Sequence, residues 1–223
     1  MRIGLISDIH ANLAALDAVL GAMPEIDLLA CCGDIVGYYA EPNEVCDELR
    51  ARNALCVRGN HDAYVLGALE PNAARRAAYR TDWTRQRLRK DNLEWLAALP
   101  VERRIDLDRA TIILRHASPW DEETYLYADS PRLQDIELEE SEILAVGHTH
   151  RPILHRAGRG LLVNPGSVGQ PRDWNPLASY ALLGLPSKAV DFKRVPYDVR
   201  SVQSALTERG WEPDTINILG RRQ

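Results

Sequence analysis

The sequence predicts an α/β fold: two stacked mixed β-sheets flanked by helices, an αββα sandwich. Three observations predict it. The first half alternates strand and helix, the second half is mostly strand, and clusters of His and Asp stand at strand ends. At 223 residues the chain can bury a full core as one domain, whereas two domains would each be small. No repeat, linker or low-complexity stretch divides residues 1–223, so a single domain is expected.

Taken in order, Arg2 to Ser7 reads as a strand, and Leu13, Leu16, Val19 and Leu20 mark one face of a helix. Asp27 to Cys32 is the next strand. Pro42 opens a helix carrying Val45, Cys46 and Leu49, and Ala54 to Val57 is the third strand. This βαβαβ order places polar residues at the carboxyl ends of all three strands, the edge at which open α/β sheets bind ligands. Residues 63 to 99 read as helical, broken at Pro71 and Pro100. They hold the most basic run of the chain: Arg75, Arg76, Arg80, Arg85, Arg87, Arg89 and Lys90. That run is either a solvated helical face or a lid offering cations to an anionic substrate. Ala110 to Arg115 and Ile143 to Val146 read as strands. Pro152 to Arg156, Gly160 to Val163, Ser179 to Leu183 and Ala189 to Val195 complete a second strand group, and a helix from Asp198 to Arg209 closes the fold.

Composition excludes several classes. Apolar and charged fractions of 45% and 26% are those of an ordinary globular protein. A net charge of −5 offers no basic footprint for long nucleic acid. No apolar run is long enough to span a membrane, and the N-terminus enters a strand at once instead of forming a signal peptide. Cys31, Cys32, Cys46 and Cys56 form no C-x-x-C pair, so reduced core thiols in a cytoplasmic protein are expected.

Five of the six histidines fall in polar clusters that end apolar strands. The clusters are Asp8-Ile9-His10, Gly33-Asp34, Gly59-Asn60-His61-Asp62, His116, and Gly147-His148-Thr149-His150; only His155 lies outside. Carboxylates, imidazoles and a carboxamide at strand ends are the donors of a two-metal hydrolytic centre. Asp8 and His10, one residue apart just past a strand, can both turn toward one ion, and His148 and His150 repeat the spacing. Asp8 and Asp34 could instead cap helices, but their apolar surroundings make uncompensated carboxylates costly. His116 alone would read as a core histidine; in this company it reads as a ligand. Asn164 to Val168 is either a plain turn or a loop supporting the site.

The order of these motifs resembles the calcineurin-like metallophosphoesterase superfamily, most closely its small bacterial and archaeal phosphodiesterase branch. Further matches are Gly33-Asp34-Ile35-Val36-Gly37-Tyr38, Glu41-Pro42-Asn43-Glu44 and Asn164 through Arg172, and together they run from Ile6 to about Pro196. The resemblance implies that family's fold and two divalent ions. Asp8, His10 and His150 match ligands of one ion, Asn60, His116 and His148 match ligands of the other, and Asp34 matches the bridging carboxylate. His61 matches a residue that binds no metal and sits over the leaving group as proton donor or electrostatic stabiliser. Asp62, which completes G-N-H-D, is placed with it as catalytic. Ala11, Tyr39 and Ala40 depart from the branch at the pocket rim, and the phosphate-gripping arginine of G-D-x-x-D-R-G is absent. Its absence disfavours protein serine/threonine phosphatases and symmetric diadenosine tetraphosphatases.

The resemblance therefore implies a binuclear metal-dependent phosphoesterase that hydrolyses phosphodiesters or phosphoanhydrides by attack of a hydroxide held between the ions. Two divalent ions against two carboxylates and one hydroxide leave a net charge of about +1, which suits a phosphate ester. The donor set suits Mn, Fe, Zn, Co or Ni, and the lack of thiolate argues against structural zinc. An asymmetric dinucleoside polyphosphate (Ap4A-type) hydrolase is the alternative enzyme. A non-catalytic scaffold would be expected to lack His61 or the bridging ligand, and this chain keeps both. The expected partner is a small phosphate ester or nucleotide, with a homo-oligomer left open.

Overall fold

The first sheet grows around β1 (Arg2–Ile6) in the computed structural model, which describes residues 1–107 and 109–221. Its parallel neighbours are β2 (Leu28–Cys31) and then β3 (Leu55–Cys56), reached through α1 (Leu13–Ala22) and α2 (Pro42–Ala51). The Asn12 side chain caps α1 by accepting the Ala15 N–H, and Pro42 opens α2 where no N–H is needed. The second sheet contains β4 (Glu102–Leu107), β5 (Ala110–Arg115), β6 (Glu142–Ala145), β7 (Pro152–Ala157) and β8 (Gly160–Pro165), in the order β4-β5-β6-β8-β7. Within it β5, β6 and β8 are parallel, and β4 and β7 are antiparallel edges.

One expectation about the grouping is corrected. β9 (Ala178–Gly184) and β10 (Ala189–Val195) do not join the second group. β9 pairs antiparallel with β1, Leu183 opposite Ile3, and β10 lies outside it. The reason is burial. β9 is apolar on both faces, so it needs an interior place, and Ala181 and Leu183 fill the space between the sheets while Ala178 and Tyr180 face the helices.

The layers follow the period-2 alternation of the strands. Ile3, Leu5, Cys32, Ile112, Leu114, Ile143 and Val163 lie between the sheets; Ile6, Cys31 and Leu29 face Leu16, Val19, Val45 and Leu49 of α1 and α2. The outer face of the second sheet is covered by Leu126, Leu133 and Ile136, from a loop with a 3-10 turn at Pro131–Asp135. All four cysteines are buried and unbridged. The basic stretch is more broken than its prolines predict. It forms α3 (Asn60–Leu66), α4 (Ala73–Ala78), α5 (Thr81–Arg87) and α6 (Lys90–Ala97), with left-handed residues at Gly67 and Arg80. α7 (Val199–Glu208), α8 (Pro213–Ile218) and the turn between them pack Leu206, Ile216 and Trp211 against Tyr38 and Tyr39. Among the described residues no helix is long and apolar enough to cross a membrane.

Candidate metal centre

The parallel strands of both sheets deliver their polar ends to one place. Asp8 follows β1, Asp34 follows β2, Asn60 follows β3, His116 follows β5, and His148 and His150 follow β6. The loops are knit by backbone bonds: Asp8 N–H to Gly33 C=O at 3.0 Å, and the N–H groups of Ile9 and His10 to Asp34 C=O at 2.9 and 3.0 Å. Side chains are aimed by an unusual backbone. Asp8, His10, Asp34, His148 and His150 all have φ between 52° and 67°, a left-handed conformation that costs a non-glycine residue energy and collects at functional sites. The loops also approach very closely. A side chain at Gly147 would collide with Ser7, and one at Gly59 with the Asp34 carboxylate, so only glycine fits at either position.

Two clusters result. Ligand-type atoms of Asp8, His10, Asp34 and His150 lie within 4.8 Å of one another, as do those of Asp34, His116 and His148, and all are buried. Asp34 belongs to both. Asn60 Oδ1 lies 3.0 Å from His116 Nε2, which puts the carboxamide in the second cluster. Neighbouring groups orient each imidazole. His116 Nδ1 donates to Cys32 C=O at 2.7 Å, His150 Nδ1 to Gln170 C=O at 2.6 Å, and His148 Nε2 to Glu123 C=O at 3.0 Å. The remaining nitrogens face inward. His10 Nε2 and His150 Nε2 are 3.2 Å apart, as are His148 Nδ1 and His116 Nε2.

This arrangement fits divalent ions. Bare imidazole nitrogens facing each other beside buried carboxylates need a cation between them. The ionisation pattern agrees. Burial, reinforced at both by the Arg172 charge, pushes His10 and His150 well below the usual value, and burial with the His116 charge pushes His148 to about 3. Against the cost of burial, Asp34 at 3.2 Å pulls His116 up to about 10. Burial raises Asp8 to about 7, helped by Asp34, whereas the surrounding histidines overcome burial at Asp34 and hold it well below the carboxylate range. A proton on His116 thus stands where a cation would, and ion binding must release it.

His61 sits beside the clusters. Its N–H donates to Asp34 Oδ1 at 2.8 Å, and its Nε2 is 4.0 Å from Asp34 Oδ2. Its Nδ1 is buried toward Gly37 with no partner. Aromatic rings hold it instead: Tyr38 stacks at 4.8 Å, Tyr79 lies at 4.2 Å and the His10 ring at 4.7 Å. Asp62 is placed differently from its sequence companion. Its carboxylate accepts the N–H groups of Ile35, Val36 and Gly59 at 3.0, 3.0 and 2.9 Å, tying the loop after β2 to the start of α3. That geometry makes it a tie between the loop carrying Asp34 and the start of the helix carrying His61. The Asn164 segment is a support as well. Asn164 Nδ2 donates to Gly147 C=O and Thr149 Oγ1, and Ser167 Oγ donates to Asp8 C=O.

The basic run contributes less to the site than its charge suggests. Arg76 pairs with Asp82 and Glu70, Arg89 with Asp47 and Asp91, and Arg80 lies over the Trp211 ring. Of the run, Arg75 bears on His61 electrostatically. What sequence reasoning missed is the aromatic wall of Tyr38, Tyr64, Tyr79 and Tyr125, the last stacked on His148 at 3.9 Å, and a function for Arg172. The Gln170-Pro171-Arg172 end of the Asn164 motif was the available signal for the latter.

A family model described as the calcineurin-like phosphoesterase superfamily domain matches residues 1–188. The chain belongs to that superfamily. It is a metal-dependent phosphoester hydrolase by that membership. Among similar proteins, an uncharacterized protein of Methanocaldococcus jannaschii is 34% identical over 92% of each chain. The phosphodiesterase YfcE of Escherichia coli is 27% identical over 82% of this chain and 87% of its own. The crystal structure of a metallophosphoesterase from Sphaerobacter thermophilus superposes with a TM-score of 0.83 at 32% identity, covering 99% of this phosphoesterase and 98% of that chain. A hypothetical protein of Pyrococcus horikoshii, at 22% identity and TM-score 0.84 over 100% and 99% of the two chains, shares the fold.

Proposed function

We propose that this phosphoesterase is binuclear and cleaves phosphodiester or phosphoanhydride bonds of a small phosphate ester or nucleotide. The observation that carries the reading is the pair of buried clusters sharing Asp34. Asp8, His10 and His150 would hold one ion, Asn60, His116 and His148 the other, and Asp34 both. Divalent ions held by these residues would supply Lewis acidity toward water and positive charge against the phosphate. The protein does the rest. The carbonyls of Cys32, Gln170 and Glu123 keep three imidazoles in the tautomer that presents a lone pair inward. Burial pushes His61 down to about 4, so at neutral pH its ring is uncharged. The role this fits is donation of a hydrogen bond from Nε2 to the departing oxygen, with the tyrosines fixing the ring. The net charge of −5 supports a small substrate over long nucleic acid, and four unbridged buried cysteines support a reducing, cytoplasmic setting.

The test is metal analysis of protein purified without chelator, followed by hydrolysis of bis-p-nitrophenyl phosphate with added Mn²⁺. Two ions per chain with turnover are expected; two ions with no hydrolysis of any ester or nucleotide in a panel would end the reading. Including diadenosine tetraphosphate in that panel, with its products identified, decides the asymmetric hydrolase alternative.

A further inference from the structure

Arg172 is a cation held at the metal clusters by neutral groups. Its Nε and Nη2 donate to Gln170 Oε1 at 3.0 and 2.6 Å, and Nη2 also donates to the Tyr38 hydroxyl at 3.1 Å. Gln170 is itself fixed, its amide donating to the Tyr39 hydroxyl at 2.9 Å. Among the described residues no carboxylate pairs with Arg172; Asp173, next in sequence, pairs with Arg194 instead. The groups that hold Arg172 touch the clusters directly: the Gln170 carbonyl accepts from His150 Nδ1 at 2.6 Å, and the Tyr38 ring stands edge-on to His10 at 4.9 Å and stacks on His61 at 4.8 Å.

Arg172 is half-buried, and partly desolvating a guanidinium with no adjacent carboxylate costs free energy that a neighbouring Asp or Glu would have offset. Here an amide oxygen and a phenol fix the planar fork and leave its charge unspent, and Nη1 has no protein partner among the described residues. That is the condition of a preorganised anion receptor.

We propose that Arg172 binds an anionic oxygen of the substrate and tunes the site toward phosphoryl groups carrying more than one negative charge, a monoester or an anhydride, over a simple diester. The inference rests on the phosphoesterase reading above. A diester brings a single negative charge, which the clusters can balance alone. A monoester dianion or an anhydride brings further charge that the guanidinium can meet with charge-assisted hydrogen bonds.

The experiment measures Kd for inorganic phosphate by calorimetry on the Mn²⁺-loaded protein, and kcat/KM for p-nitrophenyl phosphate and bis-p-nitrophenyl phosphate, in wild type, Arg172→Gln and Arg172→Lys. Arg172→Gln should keep its metals, weaken phosphate binding roughly 10–100-fold, the size of lost hydrogen bonds to a charge, and lower monoester turnover at least roughly tenfold more than diester turnover. Arg172→Lys should recover part of both losses. Unchanged phosphate affinity, or equal losses on the two esters, overturns the proposal and leaves Arg172 as a tether for Tyr38. Should the Gln variant not fold, phosphate protection of wild-type Arg172 from phenylglyoxal, read by peptide mass, decides: protection supports the receptor, and equal labelling with and without phosphate overturns it. Wild-type protein that binds phosphate yet cleaves neither ester would end the phosphoesterase reading and leave the anion site standing.

Discussion

The strand-end clusters and the helical stretch from α3 to α6 are both rich in ionisable side chains, yet they use charge in opposite ways. At the strand ends Asp8, His10, Asp34, His116, His148 and His150 are buried, fixed by backbone groups, and face one another with their charges and lone pairs unbalanced. In the helices Arg76, Arg89 and Lys90 are partly or well exposed, and their charges are already met by Asp82, Asp47, Asp91 and Glu94. Exposed pairs of that kind contribute little. A cluster of ionisable residues therefore points to function where burial leaves the charge uncompensated, and to a solvated surface where local pairs consume it. Half-buried Arg172 stands closer to the first pattern, since among the described residues no carboxylate pairs with it.

The sharpest way to break this contrast is Asp34→Asn. Asp34 serves both clusters, so its loss should weaken both ion sites and lower activity by several orders of magnitude, with metal content read alongside turnover. Retention of two ions and normal turnover would show that the shared carboxylate is not the bridge.

Next in size is His61→Ala, which separates chemistry from ion binding. Both ions should remain, because His61 lies outside the clusters, while kcat falls roughly 10²–10⁴-fold. The fall should shrink with p-nitrophenolate as leaving group, since that oxygen needs little help in departing. Loss of one ion would place His61 among the ligands instead.

A smaller effect sharpens the helical side. Arg75 influences His61, whereas Arg76 is spent on Asp82 and Glu70. Arg75→Gln should raise KM for diadenosine tetraphosphate several-fold and leave that for bis-p-nitrophenyl phosphate nearly unchanged, and salt should shrink the difference because exposed charges are screened. Arg76→Gln should change neither. Equal responses from the two variants would return the whole run to a solvated face.

The smallest effect is the pH dependence of the metal-free protein. His61 and His148, pushed from 6.5 to about 4 and about 3 by burial, and His10 and His150, also lowered, stay neutral when folded but take protons when unfolded. Their contribution is present above 6.5 and lost as the pH falls through the folded values. Asp8 and Asp62, raised by burial from 3.8 to about 7, act in the reverse sense over that window, and the four imidazoles outnumber them. Above 6.5, His116, lifted by Asp34 to about 10 despite burial, holds a proton in the fold that unfolding releases, so stability declines again. With chelator present, Tm should fall on both sides of neutral pH. A Tm that climbs steadily from pH 7 to 10 would contradict the buried His116–Asp34 pair.

Much of this was written locally in the chain. The apolar strands and the polar residues just past them are adjacent in sequence, and a strand end is where a βα loop must turn, so Asp8, Asp34, Asn60, His116 and His148 could be read as one set. Distant partners decided the rest. β9 belongs beside β1 because only an interior position covers both its faces, a fact no local period encodes. β4 escaped notice because its charged Glu102, Arg103 and Arg104 leave only Ile105 and Leu107 as apolar signal on an edge strand, and α8 was too short to show a period. Asp62 and His61 are neighbours in sequence, but a helix turn sends one carboxylate toward three backbone N–H groups and the other side chain toward the clusters. Sequence alone determined which donors exist and at which strand ends. The tertiary structure decided which nitrogen each imidazole presents, and that Arg172 meets an amide and a phenol in place of a carboxylate. Both depend on groups that folding brings together from as far apart as 84 residues for His116 and Cys32 and 134 for Arg172 and Tyr38.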